Sequence, residues 1–357
     1  MRWRELYPEW VEALERLSQP QGAVMVLGGT DVGKSTFCSL LLRQWVQARA
    51  PVGFLDLDLG QTTLGPPTTL SWALIQKPFQ RLGELEADGF AFVGDTTPAR
   101  HPMLALAGAR HALDELKSRH PVGIVIDTCG YIGGASGRQY KLLMADLLRP
   151  TVMIALQRQN ELEPILQALE RRLDWRVERL PVPAAIARKS PVMRAQARRV
   201  AFARYFQNAR SQTLSLEQVS FTGRRLGAGQ PFSPQRLCML NQQIRGEILH
   251  AEMVGNSLHV IVRQPLTESQ IQLLMTLCSA DRAVVLPPSA YHHLLVGLID
   301  YQGRHFGVGL IEELNFDQRT LTVFTPVASV LPVRWVQLGF TRVLPDGTEL
   351  GEPLRDG

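Results

Sequence analysis

Lysine is scarce in this sequence: five of its 38 basic residues are Lys and the rest are Arg. Genome composition alone can produce that bias, so arginine abundance by itself carries no argument. Cysteine is equally sparse. Cys38, Cys129, Cys238 and Cys278 form no CxxC pair, which argues against a zinc site or a disulfide framework and leaves buried free thiols as the expectation. No apolar run approaches the roughly 18 residues of a membrane span. The start, MRWRELYPEW, carries charges and aromatics where a signal peptide is apolar. A cytoplasmic protein without membrane contact is expected. Internal repeats and low-complexity tracts are also missing. With 357 residues, 45% hydrophobic and 20% charged, the chain suits one large or two ordinary globular domains rather than disorder or fibre.

Charge is distributed unevenly. The net charge is +5, yet residues 171–210 alone hold eleven Arg or Lys against Asp174 and Glu178, leaving the remainder mildly acidic. Such a segment is an electrostatic footprint for a polyanion, nucleic acid or triphosphate, or else a solvated helix face.

Hydrophobic periodicity outlines the fold. Trp3, Leu6, Trp10, Leu14 and Leu17 recur at helical spacing and predict an amphipathic helix over 2–18. Strands are expected at 23–29, 52–58, 90–94, 122–127 and 151–156, with helices at 34–47, 102–118, 138–148 and 160–172. Apolar strands alternating with helices predict a parallel sheet covered on both faces. Ligands in such folds gather at the carboxyl ends of the strands. Beyond residue 210 short strand-like runs alternate with turn residues, DYQGRHF reading as a hairpin, which predicts a small antiparallel barrel or sandwich. The expected organisation is an N-terminal helix in 1–21, a P-loop α/β domain in 22–211 with a basic lid at about 171–210, and a smaller, mostly-β domain in 212–357.

The chemistry concentrates in three motifs. GGTDVGKST satisfies GxxxxGK[ST] between a strand and a helix, the context of a phosphate cradle. Gly28, Thr30, Asp31, Val32, Gly33, Lys34, Ser35 and Thr36 are therefore expected to bind ATP, Lys34 reaching the β and γ phosphates and the Ser35 hydroxyl ligating Mg2+. DLDLGQ follows, with Asp56 and Asp58 two apart on one strand face, able to hold the metal and to accept a hydroxyl proton. In VIDTCGY, Asp127 ends another strand and competes with Asp58 for the metal. Thr128 and Tyr131 sit at the same rim, suited to a phosphate hydrogen bond and to base stacking or plain packing. No NKxD or TKxD follows the P-loop, which argues against a guanine-specific GTPase, and no lysine adjoins its first glycine as in ParA-like ATPases.

Together these segments resemble the polynucleotide 5′-hydroxyl kinase family of the Clp/Grc type. GGTDVGKSTFCSLLL is similar to its P-loop, DLDLGQTTLGPPTTLS to its acidic strand and Pro-rich loop, and GDTTPARHP to its clasp. DTCGYIGGASGRQYKLL looks like its TxGW segment, and SPVMRAQARRVAFARYF like its arginine-bearing lid. The resemblance spans roughly residues 22–207. It implies that Asp58 activates the 5′-hydroxyl, that Gln61 supports the metal and acceptor site, and that Thr97 lies in the clasp. It also implies that Tyr131 contacts the terminal nucleotide and that Arg194 and Arg198, one helical turn apart, neutralise the transferring phosphoryl. Tyr131 stands where the motif has tryptophan. About 20 residues precede the P-loop, too few for the N-terminal β domain of the larger members, so a compact prokaryotic-type kinase is expected. Competing readings are an ATP-holding scaffold of an RNA-processing complex without turnover and a small-molecule or nucleoside kinase. Protein partners, RNA against DNA, and strictness for ATP are not encoded in any motif.

Overall fold

Proline decides how the chain begins. The computed structural model describes residues 2–171, 175–223 and 226–351, the side chains of Arg2 and Trp3 excepted. Arg172 and Asp174 of the basic segment, and the side chain of Trp3, thus lie outside the described residues. The amphipathic N-terminal stretch is two helices, α1 (Arg2–Leu6) and α2 (Val11–Arg16), joined by a single turn at Pro8–Trp10. Tyr7, ahead of the proline, is driven out of the helical region to φ −135° and ψ 58°. The expected stripe packs only in part: Trp10, Leu14 and Leu17 are buried while Leu6 is exposed, and the Trp10 indole N–H donates to the Pro181 carbonyl at 2.9 Å.

Two compact units follow, Met1–Ala201 and Phe202–Gly357. Where the sequence placed a boundary near residue 212, the division falls within a helix, Pro191–Phe206. In the first unit, β1 (Ala23–Gly28) leads into α3 (Lys34–Ala48), then β2 (Val52–Leu57), β3 (Thr69–Ile75) and β4 (Gly89–Phe92). After these come α4 (Pro102–Lys117), β5 (Ile124–Thr128), α5 (Gly134–Leu148), β6 (Val152–Gln157), α6 (Glu163–Leu169), β7 (Arg176–Pro181) and α7 (Pro191–Phe206). The strands form one sheet in the order β4-β3-β2-β5-β1-β6-β7. Its five strands from β2 to β7 are parallel, while β3 runs antiparallel to both β2 and β4.

Alternating side chains build two cores. Along β1, Met25 and Leu27 join residues of α4, α5 and α6, whereas Val24 and Val26 join α2 and α3 on the other face. Helices on both faces of a largely parallel sheet are what the sequence predicted. Two strands were not anticipated. β3 hides behind the Pro-rich loop, and β7 lies inside the basic segment, where Arg176 and Arg179, one on each face of the strand, mask its apolar residues Val177 and Leu180. The segment expected to form a lid therefore begins as the edge strand of the sheet.

The second unit runs β8 (Arg210–Ser215), β9 (Ser220–Thr222), β10 (Gln230–Pro231), α8 (Pro234–Ile244), β11 (Ile248–Val254) and β12 (Ser257–Val262). It continues with α9 (Glu268–Cys278), β13 (Arg282–Leu286), β14 (Leu294–Asp300), β15 (His305–Asn315), β16 (Thr320–Thr325), β17 (Val333–Val343) and β18 (Glu349–Gly351). The unit is β-rich, as expected, and β14 and β15 pair around the predicted hairpin. It differs from a purely antiparallel barrel or sandwich: one sheet is β10-β11-β12-β13, with β12 and β13 parallel across α9, and the other is β18-β17-β14-β15-β16-β8 with β9 on β17. The two helices carry legible start signals, Ser233 before Pro234 and a Thr267/Gln270 capping box. Cys38, Cys129 and Cys278 are buried free thiols as expected, but Cys238, on α8, is exposed. Among the described residues no helix is long and apolar enough to cross a membrane.

Trp10 is fully buried, with its ring edge-on to Phe37 at 5.4 Å. Trp10→Ala should cost about 3–5 kcal/mol by leaving a cavity between α2, α3 and β7. Urea unfolding followed by far-UV circular dichroism checks this.

Candidate functional site

Gly28 is where β1 releases the chain into the cradle. A Cβ there would meet the Leu156 carbonyl at 2.8 Å and Val32 at 2.5 Å, so glycine is required for the loop to leave the sheet between β1 and β6. Val32 is buried beneath the loop, Thr30 is exposed at its crest, and Ser35 and Thr36 open α3 half-buried. Lys34 folds back over the loop, and its ammonium donates to the Gly29 carbonyl at 2.6 Å. The backbone N–H groups of the first turn of α3, at the positive end of the helix dipole, complete a site for a polyphosphate.

Three acids stand beside it, each in a different environment. Asp56 on β2 is the register partner of Asp127 on β5. Its Oδ2 accepts from the Thr63 amide at 2.6 Å, the Leu64 amide at 3.1 Å, and the hydroxyls of Thr62 and Thr63 at 3.0 Å. The carboxylate expected to share a ligand role with Asp58 thus organises the loop after β2. The strand ends at Leu57, so Asp58 leaves the pleat and turns: its amide donates to Asp56 Oδ1, and its own Oδ1 accepts from the Gly60 and Gln61 amides, both at 3.0 Å. Among the described residues its Oδ2 accepts no hydrogen bond.

Asp127 is the outlier. It is 1% exposed, and neither carboxylate oxygen has a hydrogen-bond partner among the described residues. Desolvation, then the charge of Asp56, pushes it up to about 7 against the pull of Lys34. A buried acid left bare next to Ser35 fits a divalent cation. Mg2+ binds through one or two carboxylates together with substrate phosphates. Correspondingly, no group of three or more acidic, His or Cys side chains is placed to hold a metal ion among the described residues.

Thr128, expected at the rim, is buried, and its hydroxyl donates to the Val26 carbonyl at 2.8 Å, tying β5 to β1. Tyr131 is half-buried, tilted 5.9 Å from Tyr140, with its hydroxyl on Ser136 at 2.6 Å. Thr97 lies in a loop organised by the buried Asp95, which accepts the Thr97 amide at 3.3 Å and pairs with Arg100 at 2.9 Å.

The basic segment reaches the cradle through Arg194. Its guanidinium donates to Asp31 Oδ2 at 2.9 Å and to the Lys189 carbonyl at 2.7 Å, and the same aspartate oxygen accepts the Lys189 amide at 3.1 Å. Gln61 donates to the Arg194 carbonyl at 3.3 Å. Arg158 bridges the Asp31 and Ile186 carbonyls, both at 3.0 Å. Arg198 lies one turn further along α7. Other arginines of the segment are paired away from the cradle: Arg179 with Glu163 and Glu170, and Arg176 with Glu178.

Residues 28–208, just over half of the chain, match the family described as mRNA cleavage and polyadenylation factor CLP1 P-loop. The chain belongs to the CLP1 P-loop family. It is 31% identical to a polyribonucleotide 5′-hydroxyl-kinase of Pyrococcus abyssi, over 96% of this chain and 93% of that protein. A protein of the same description from Pyrococcus furiosus is 30% identical over 98% and 94%. The zebrafish (Danio rerio) polyribonucleotide 5′-hydroxyl-kinase Clp1 is 31% identical over 51% of this chain and 43% of its own length. Among solved structures, the wild-type Clp1p–Pcf11p complex superposes with a TM-score of 0.61 at 14% identity, covering 95% of this chain and 79% of that one, a likeness of fold.

Sequence reasoning singled out the P-loop, the acids, Arg194 and Arg198 but missed the Asp31–Arg194 pair, which links residues 163 apart. It also missed Asp95 and the buried Lys141. Lys141 could have been noticed: on α5 it shares the apolar stripe of Tyr140, Met144, Ala145 and Leu148.

Asp127→Asn should stabilise the ligand-free protein. A carboxyl raised to about 7 in the fold, against about 4 when unfolded, keeps its proton longer in the native state, so stability falls as pH rises between those values. The variant is expected to melt higher than the parent at pH 8, with each kcal/mol relieved adding about 2–4 °C, and equally at pH 4. Differential scanning calorimetry at both pH values measures it.

Proposed function

We propose that this protein is an ATP-dependent polynucleotide 5′-hydroxyl kinase acting on RNA. The observation that carries the reading is the meeting, at the carboxyl ends of the central strands, of a phosphate cradle, a bare buried carboxylate at Asp127, and a cation, Arg194, held on the cradle's own Asp31. The relatives' name, polyribonucleotide 5′-hydroxyl-kinase, supports RNA as the acceptor class.

In this reading the loop amides and Lys34 bind the β and γ phosphates, and Ser35 with Asp127 would hold Mg2+. The metal, when bound, supplies positive charge to the phosphate oxygens. Asp58 takes the proton of the 5′-hydroxyl through its uncommitted Oδ2 as the 5′-oxygen bonds to the γ phosphorus and the bond from that phosphorus to the β-phosphate oxygen breaks. Gln61 holds the start of α7 over the acceptor side, Thr97 and Tyr131 flank the terminal nucleotide, and Arg194 with Arg198 balances charge on the transferring group. Asp56 keeps the loop after β2 in shape, and Thr128 keeps β5 in register with β1. A cytoplasmic location belongs to the same proposal.

The test is transfer of labelled γ-phosphate from ATP to matched 5′-hydroxyl RNA and DNA oligonucleotides, with nucleosides as controls. RNA should be labelled, with Lys34→Ala reducing turnover at least a hundredfold in a folded protein. Asp58→Asn should lower kcat by a similar factor while leaving ATP affinity within about threefold. Labelling of nucleosides alone, or none of any acceptor, would sink the reading.

Arg194→Ala should lower kcat by at least about tenfold, with a smaller loss of RNA affinity because other basic residues still attract the polyanion. Arg194→Lys, which keeps the charge without the planar fork, separates neutralisation from two-pronged contact. Steady-state kinetics across salt concentrations distinguishes these, and full turnover in the alanine variant rules out the catalytic role.

A further inference from the structure

Lys141 is buried completely, on a helix face where the other residues are apolar or aromatic. Burying an ammonium group costs several kcal/mol unless a counter-charge repays it. Here there is no such repayment by contact: Nζ donates to the Cys129 carbonyl at 2.6 Å, lies 3.6 Å from the Cys129 sulfur and 5.6 Å from the centre of the Tyr140 ring, and touches no carboxylate among the described residues. Desolvation accordingly pulls its pKa down. A methionine would fill the same volume at lower cost, so the side chain is not explained by stability.

Its effect is on a single peptide. The amide plane is rigid and trans, so drawing the Cys129 carbonyl toward α5 aims the N–H of Gly130 to the opposite side. Gly130 is pressed against the cradle: a Cβ there would lie 2.5 Å from the Thr30 hydroxyl and 2.8 Å from the Thr30 amide. On one side of this peptide β5 carries Asp127, and on the other the chain continues directly into Tyr131.

We propose that Lys141 is a positioning residue, which through the Cys129 carbonyl fixes the Gly130 peptide against Thr30 and so sets where Tyr131 stands relative to the phosphate cradle. It touches no substrate itself. The inference rests on the kinase reading, because it assigns Lys141 to acceptor placement in that site.

Lys141→Met and Lys141→Gln test it, the second keeping an N–H donor without the charge. The measurements are melting temperature, ATP affinity without acceptor, and KM and kcat for a 5′-hydroxyl RNA. Lys141→Met should melt at or above the parent temperature, bind ATP within about threefold of the parent, and show KM for RNA raised about tenfold or more. Lys141→Gln should recover part of that KM. An unchanged KM overturns the proposal, as do ATP and RNA parameters that decline together with a lowered melting temperature. Failure of both variants to fold overturns it too, since Lys141 would then serve stability alone. A parent without kinase activity tests something else: it removes the kinase reading before the variants are compared.

Discussion

Like charges gathered at the carboxyl ends of two central strands are the constraint on which the rest depends. Asp56 and Asp127 are opposite each other on neighbouring parallel strands, whose backbones run about 4.8 Å apart, and Asp58 follows two residues on. Three carboxylates so close cannot all ionise cheaply in a dry interior. The protein treats each differently. Asp56 is saturated with donors from its own loop, Asp58 is turned toward the rim with one oxygen tied down, and Asp127 is left bare. The result is an electrostatic deficit concentrated at one residue, which is what a site that recruits a cation needs. The burial that makes the apo state costly there is the same burial that strengthens any charge interaction formed later.

Around this site Arg194, the cation of the proposed mechanism, is already paired. Arg194 shares Asp31 with the Lys189 amide, and Gln61 holds the backbone at the same helical turn. An arginine waiting in water would have to be desolvated when a phosphate arrives. One resting on a P-loop aspartate exchanges one anion for another, giving up a charge-assisted hydrogen bond of about 1.5–3 kcal/mol for a comparable one. That arrangement favours a switch over a stepwise approach from solvent.

The sequence carried the fold's first half well because buried parallel strands announce themselves as short apolar runs and the P-loop fixes one of them absolutely. It failed where a strand had no such signature. β3 follows two prolines, and β7 carries an arginine on each of its faces, Arg176 and Arg179, so charge masked a period-two pattern. The acids were legible as types, yet their separate fates were not: whether Asp56 meets solvent, a metal or four loop donors depends on where β2 ends, a matter of one residue. Pairings such as Asp31 with Arg194 join segments far apart in the chain and have no local pattern. Lys141 was different, since a lysine in the apolar stripe of α5 is a visible contradiction of its own periodicity.

The thiol distribution has an experimental use. Of the four cysteines, Cys38 and Cys129 are sealed within the nucleotide-binding unit and Cys278 within the second, while Cys238 stands open on α8. A maleimide fluorophore would therefore attach at one address in the native protein, with no engineered background, so that the second unit can be watched by light while the first turns over.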